Sequence, residues 1–154
     1  MSDINCPFCA IASHHEAAID TAGVSSAAGD QTSAINHPRI IAQNQYAIVI
    51  RDGYPVTPGH TLIIPKRHIG SYFSLTADEK TSMHALLEQA KTELDQHHQP
   101  AAYNIGINDG PAAGQTVPHC HMHLIPRYHQ DVSDPRGGVR WVVAEKADYW
   151  SDGS

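Results

Sequence analysis

The chain of 154 residues is poor in charge and in aromatic rings: 17% of it is Asp, Glu, Lys or Arg, and 6% is Phe, Trp or Tyr. Basic residues are the scarcer sign, 10 against 16 acidic ones, for a formal net charge of −6. A surface that tracks a nucleic acid neutralises many phosphates with Lys and Arg, so this balance excludes one. Any phosphate site must be local, built mostly from backbone dipoles and histidine. Long apolar runs are missing too: nothing reaches the roughly 18 residues that a membrane span needs. Met1 to Cys6 has no basic segment followed by an apolar one, so it does not read as a secretory signal. Three cysteines cannot all pair. The expectation is a reducing cytoplasm, where paired cysteines more often bind metal or do redox chemistry than form structural disulfides.

What is present supports one compact domain over 1–154. About 41% of the chain is hydrophobic, enough for a core. Residues 6–12 read as a short apolar turn after Cys-Pro-Phe-Cys. Residues 13–37 read as a surface insertion; from Ala17 to Ala34, 13 of 18 residues are Ala, Ser, Gly or Thr, with no sustained period. Arg39–Ala42 and Tyr46–Arg51 read as strands joined by a polar turn, and His60–Pro65 as a third, mostly buried strand. Thr76 and Glu79 form a capping box before a helix over 76–98, whose Met83, Leu86, Leu87, Ala90 and Leu94 recur on one face. Pro100 stops it. Ala101–Asn108 and His119–Pro126 complete five strands, and 131–154 is a tail with an apolar stretch at Val139–Val143. Strands joined by short hairpins around one long helix predict an α+β fold with a mainly antiparallel sheet.

Histidine is the abundant functional type, with 12 residues. In His119-Cys120-His121-Met122-His123-Leu124-Ile125 the alternation is strict. On a strand this puts three imidazoles on one face and Cys120, Met122 and Leu124 on the other, toward the core. Two chemistries compete. One is a catalytic metal held by His-x-His pairs. Against a single ion taking all three, the outer Cα atoms of such a strand are about 13 Å apart. The other is nucleophilic: a neutral imidazole, with an unperturbed pKa of about 6.5, attacks phosphorus and is later displaced by water. Just upstream, the Gly-containing loop from Asn108 to Thr116 can form an anion-binding nest, with side-chain donors at Gln115 and Thr116. Cys6 and Cys9 are half of a four-ligand zinc site, or a redox pair.

This His-φ-His-φ-His-φ-φ run, with Gly59-His60-Thr61-Leu62-Ile63-Ile64-Pro65-Lys66, Ile107-Asn108-Asp109-Gly110 and Ala113-Gly114-Gln115-Thr116-Val117, resembles the histidine triad (HIT) superfamily of nucleotide hydrolases and transferases. The likeness covers roughly residues 38–128 and the Cys6/Cys9 start. A third histidine sets it apart from the galactose-1-phosphate uridylyltransferase branch. The resemblance implies a HIT-like fold, a five-stranded sheet with one long helix and short ones, assembled as a homodimer. It implies a purine nucleotide or dinucleoside polyphosphate substrate and a covalent nucleotidyl-histidine intermediate on His121. His123 would lie against the phosphate, the His119 carbonyl would set the tautomer of His121, and His60 would close the cluster. Asn108, Gly114, Gln115 and Thr116 would bind phosphate oxygens and the leaving group, and Asp52 the ribose. Bacterial members with this start bind structural zinc, here through Cys6, Cys9, His68 and His119, leaving the chemistry free of any cofactor. Asn108 matches the nucleoside phosphoramidase branch, whereas the Asp134–Arg140 tail matches members labelled diadenosine tetraphosphate hydrolases, so both substrate classes stay open. So do a regulatory nucleotide-binding protein with little activity and a metal-dependent phosphohydrolase.

Overall fold

The computed structural model describes residues 5–16 and 39–151. Five strands form one sheet: β1 (Ile40–Gln43), β2 (Ala47–Arg51), β3 (Thr61–Pro65), β4 (Ala102–Gly106) and β5 (Met122–Arg127). Their spatial order is β1-β2-β3-β5-β4, and every pairing is antiparallel. Helix α1 (Pro7–Glu16) and helix α2 (Ala77–His97) take opposite faces. The α+β reading therefore holds. Among the described residues no helix is long and apolar enough to cross a membrane. Residues 17–37 of the expected insertion lie outside the described residues.

The central strands are buried on both faces, which is why they read as continuous Val/Ile runs. Ala47, Val49, Ile63, Met122 and Leu124 face Met83, Leu86, Ala90 and Leu94 of α2. Ile48, Ile50, Leu62 and Ile64 face Phe8, Ile11 and Ala12 of α1. Each large side chain so buried is worth roughly 1.5–3 kcal/mol. The Thr76/Glu79 capping box forms as expected. Asn44 turns the first hairpin: its side-chain oxygen accepts from the N–H groups of Tyr46 and Ala47, and its Nδ2 donates to the Ser82 carbonyl on α2.

The larger differences from the sequence reading have local causes. Residues 7–16 form a helix rather than a short turn, with Pro7 at its first position, where a missing N–H costs nothing. The third strand starts at Thr61, because the backbone of His60 bonds to Thr57 and Asp52 at the hairpin end. The fifth starts at Met122, three residues late. The β3–β5 register, Ile63 opposite Met122, would set Ile64 opposite His121 and then Pro65 opposite Cys120, and proline has no N–H for the ladder. The Cys120 N–H instead donates to the Ile69 carbonyl at 2.6 Å. The tail stretch Val139–Val143 lies in 3₁₀ turns over Gly138–Lys146 and is exposed, so it is no part of the core.

Gly59 is needed where it stands. Its φ is +82°, and a Cβ there would come within 2.7 Å of Leu94 Cδ2. The hairpin end carrying His60 can lie close on α2 for that reason.

Candidate active site

Alternation along residues 120–124, into β5, sends Cys120, Met122 and Leu124 into the core under α2, and His121 and His123 to the opposite face. The rings of His121 and His123 are 5.0 Å apart, nearly edge to face. His121 Nδ1 lies 2.8 Å from the His119 carbonyl. A carbonyl only accepts, so Nδ1 holds a proton, and the neutral tautomer carries its lone pair on Nε2. The ring is 6% exposed, and Phe8 packs edge-on against it at 5.2 Å.

A second chain of bonds orients His123. The Val56 N–H donates to His60 Nδ1 at 3.3 Å, so the proton of His60 sits on Nε2. That Nε2–H points at His123 Nδ1, 3.0 Å away, which leaves the His123 proton on Nε2. Burial is the main cause that lowers His60 below the ordinary imidazole value, against the pull of Asp52. Burial, then His121 and His60, push His123 down to about 4. Both rings are therefore neutral at pH 7. One lone pair and one N–H stand side by side, the pair that attack on a phosphoryl group requires. Asp52 lies beside His60, with Oδ2 at 3.5 Å from Nδ1, while Oδ1 accepts from the Tyr54 N–H.

The ring of His119 takes another direction. Its Nε2–H donates to the Pro65 carbonyl at 2.8 Å, which presents the Nδ1 lone pair to Cys6 Sγ at 3.3 Å and Cys9 Sγ at 3.5 Å. Cys9 Sγ is 3.1 Å from His68 Nδ1. The four ligand atoms all lie within 4.8 Å of one another. A tetrahedral ion with bonds of about 2.0–2.3 Å to N and S needs edges of about 3.3–3.8 Å, so this donor set fits zinc. The Pro65 bond is the kind of outer contact that would orient the imidazole toward such an ion. His119 thus meets His121 through its carbonyl, while its ring, on the same face and also packed on Phe8, turns to the two cysteines.

In the glycine loop Gln115 makes two bonds to the backbone. Its Oε1 accepts from the Gly110 N–H at 2.8 Å and its Nε2 donates to the Gly70 carbonyl at 2.9 Å, so the amide staples the loop and keeps one N–H to spare. Gly114 has φ +87°, and a Cβ there would be 3.9 Å from Asn108 Nδ2, so the two adjoin. Thr116 borders a cavity of about 360 Å³ beside Cys6 and His68. Among the described residues no hydrogen bond joins Asn108, Gly114 or Thr116 to the His121 and His123 rings. Sequence reasoning missed Phe8, the Val56 N–H and the Pro65 carbonyl. Only Phe8, between the two cysteines, had a visible signal.

The HIT domain family model matches residues 34–130. The chain belongs to the HIT domain family. It is 39% identical to a 16.1 kDa HIT-like protein of Mycoplasma pneumoniae over 88 residues, 57% of this chain and 61% of that one. It is 41% identical to a bis(5'-nucleosyl)-tetraphosphatase (asymmetrical) of Schizosaccharomyces pombe over 80 residues, 52% of this chain and 44% of that one. The chain thus spans about three-fifths or less of these relatives. A crystal structure of a Zn-bound histidine triad family protein from Mycobacterium smegmatis superposes with a TM-score of 0.64 at 27% identity, covering 93% of this chain and 94% of that one. HIT membership, like the five-stranded fold, agrees with the resemblance read from the motifs.

Proposed function

We propose that this HIT protein is a nucleotide hydrolase that works through a covalent nucleotidyl-histidine intermediate. The observation that carries the reading is the bond from His121 Nδ1 to the His119 carbonyl, which fixes the tautomer so that the neutral ring carries its lone pair on Nε2. In the first step Nε2 attacks the α-phosphorus. A P–N bond forms, and the bond to the leaving polyphosphate or amine breaks. The His123 Nε2–H donates to a phosphate oxygen and holds it in place. In the second step water displaces the imidazole and a nucleoside monophosphate leaves. Asn108, Gly114, Thr116 and the spare N–H of Gln115 bind phosphate oxygens or the leaving group. Asp52 holds the ribose hydroxyls. The dinucleoside polyphosphate hydrolase among the relatives supports this substrate class.

Cys6, Cys9, His68 and His119 would hold a structural zinc, a reading supported by the donor geometry and by the Zn-bound mycobacterial protein. The group supplies no step of the chemistry; it ties α1 to the segment that carries the His119 carbonyl. Both thiols must be reduced to serve, which fits the cytoplasm. A homodimer is supported by the free edge of β4, where Ile105 and nearby Phe73 are exposed.

The test is turnover of diadenosine tetraphosphate and adenosine phosphoramidate by wild type and His121→Ala, with trapping of adenylylated protein. Loss on the order of a thousandfold or more is expected for the variant. Undiminished hydrolysis would reject the mechanism, and wild type that binds nucleoside monophosphate without turnover would mark a regulatory binding protein. Cys6→Ser should lose its zinc by elemental analysis.

A further inference from the structure

Cys6 and Cys9 have the spacing of a redox pair as well as of a zinc half-site, and both chemistries fit this fold. All three cysteines of the chain are reduced. Cys6 caps α1, its carbonyl accepting from the Ala10 N–H at 3.1 Å, and Cys9 stands in the first turn. Their sulfurs lie within 4.8 Å of each other, and a disulfide brings them to about 2.05 Å. Cys120 does not compete: it is 1% exposed and faces the core under α2, on the other side of the sheet. A small oxidant has two approaches to the pair. Cys9 is only half-buried, and the cavity of about 360 Å³ has Cys6 in its wall, with Asn5, Pro7, His68 and Thr116.

The pair is also coupled to the nucleophile. Phe8, held between the two cysteines, packs edge-on against the His119 ring at 5.9 Å and the His121 ring at 5.2 Å. It is 7% exposed, so its position follows that of the turn. His119 Nδ1 faces the two sulfurs at 3.3 and 3.5 Å, while the His119 carbonyl accepts from His121 Nδ1. Movement of the sulfurs therefore reaches His121 by two routes, the Phe8 ring and the backbone of His119. A misplacement of about 1 Å costs up to about a hundredfold in rate.

We propose that Cys6 and Cys9 are a peroxide-oxidisable dithiol whose disulfide form slows attack by His121. The proposal rests on the zinc and hydrolase readings above. One peroxide balances the step. The Cys9 thiolate attacks a peroxide oxygen; an S–O bond forms, the O–O bond breaks, and hydroxide leaves. The Cys6 thiolate then attacks the Cys9 sulfur; the S–S bond forms, the S–O bond breaks, and a second hydroxide leaves. Two electrons pass from sulfur to oxygen, and two protons from solvent complete two waters. Only His68 and His119 then remain as ligands where zinc takes four, so metal is released with the disulfide.

The experiment treats zinc-loaded protein with equimolar hydrogen peroxide. It follows zinc captured by a chromogenic chelator, the mass of the peptide carrying Cys6 and Cys9, and the rate of His121 adenylylation by adenosine phosphoramidate. Expected are one zinc released per chain, two hydrogens lost from that peptide, and adenylylation slower by about tenfold or more. Dithiothreitol and zinc together should reverse all three, and Cys120→Ala should respond as wild type does. Zinc and thiols that both survive the peroxide overturn the proposal. So does a disulfide that leaves adenylylation unchanged. So does a loss of activity that dithiothreitol and zinc do not reverse, which would mark sulfonate or methionine oxidation. A protein that takes up no zinc strikes the zinc reading, and undiminished turnover by His121→Ala strikes the hydrolase reading. Each takes the proposal with it, by a result distinct from that of a zinc-loaded, active protein that ignores peroxide.

Discussion

Replacing Glu79 by Gln should weaken the fold in a way that depends on pH. Glu79 is buried at the start of α2, and Arg67 grips it with two bonds, Nε to Oε1 at 2.7 Å and Nη2 to Oε2 at 2.8 Å. Arg67 stands beside His68 and so connects the helix to the segment that carries a candidate zinc ligand. The Arg67 bonds are the main cause that holds the Glu79 carboxyl at about 2 rather than 4.5. At 1.36 kcal/mol per pH unit that difference corresponds to about 3 kcal/mol, a ceiling. Arg67 is half exposed, and solvent screening brings the expected loss nearer 2 kcal/mol. Gln keeps the acceptor that the Thr76 N–H uses in the capping box, so the variant isolates the charge pair. The folded carboxyl binds its proton less readily than the unfolded one. The stabilisation is therefore complete above about pH 4.5 and disappears as pH falls through about 2. Urea denaturation of wild type and Glu79→Gln should show a gap of about 2 kcal/mol at neutral pH, more than half of it gone near pH 3. Equal midpoints at pH 7, or a gap that does not shrink with acid, would refute the reasoning.

Two more expectations follow from the core and the site. Leu94, fully buried between α2, Gly59 and the sheet, should cost about 2–5 kcal/mol on truncation to Ala, read as a lowered denaturation midpoint at unchanged slope. His123, held near 4, should show ring proton resonances that barely move between neutral pH and about 5; a midpoint near 6.5 would mean that the ring is solvated. Because the unfolded imidazole takes the proton first, this ring makes the fold less stable as pH drops from about 6.5 toward 4.

The helix and the sheet were legible because their signals are local. A capping box and a 3.6-residue period place α2, and alternation places the faces of β5. The first helix was misread as a turn, although proline at its first position is a start signal as well as a breaker. The late start of β5 was hidden because the cause, Pro65, sits on the neighbouring strand. The partners of Gln115, Gly110 and Gly70, were not legible in the sequence, because they depend on the path of the loop.

From residue order alone came the family, the face that His121 and His123 share, and the four residues able to bind zinc. Folding decided which partner each histidine ring meets. Cys6 and His119 are 113 residues apart in the chain, and His60 and His123 are 63 apart. Strand periodicity assigns a side chain to a face through backbone geometry near at hand. The direction of an imidazole ring and the nitrogen that bears its proton depend on the donor or acceptor it meets, and only the assembled fold supplies those partners.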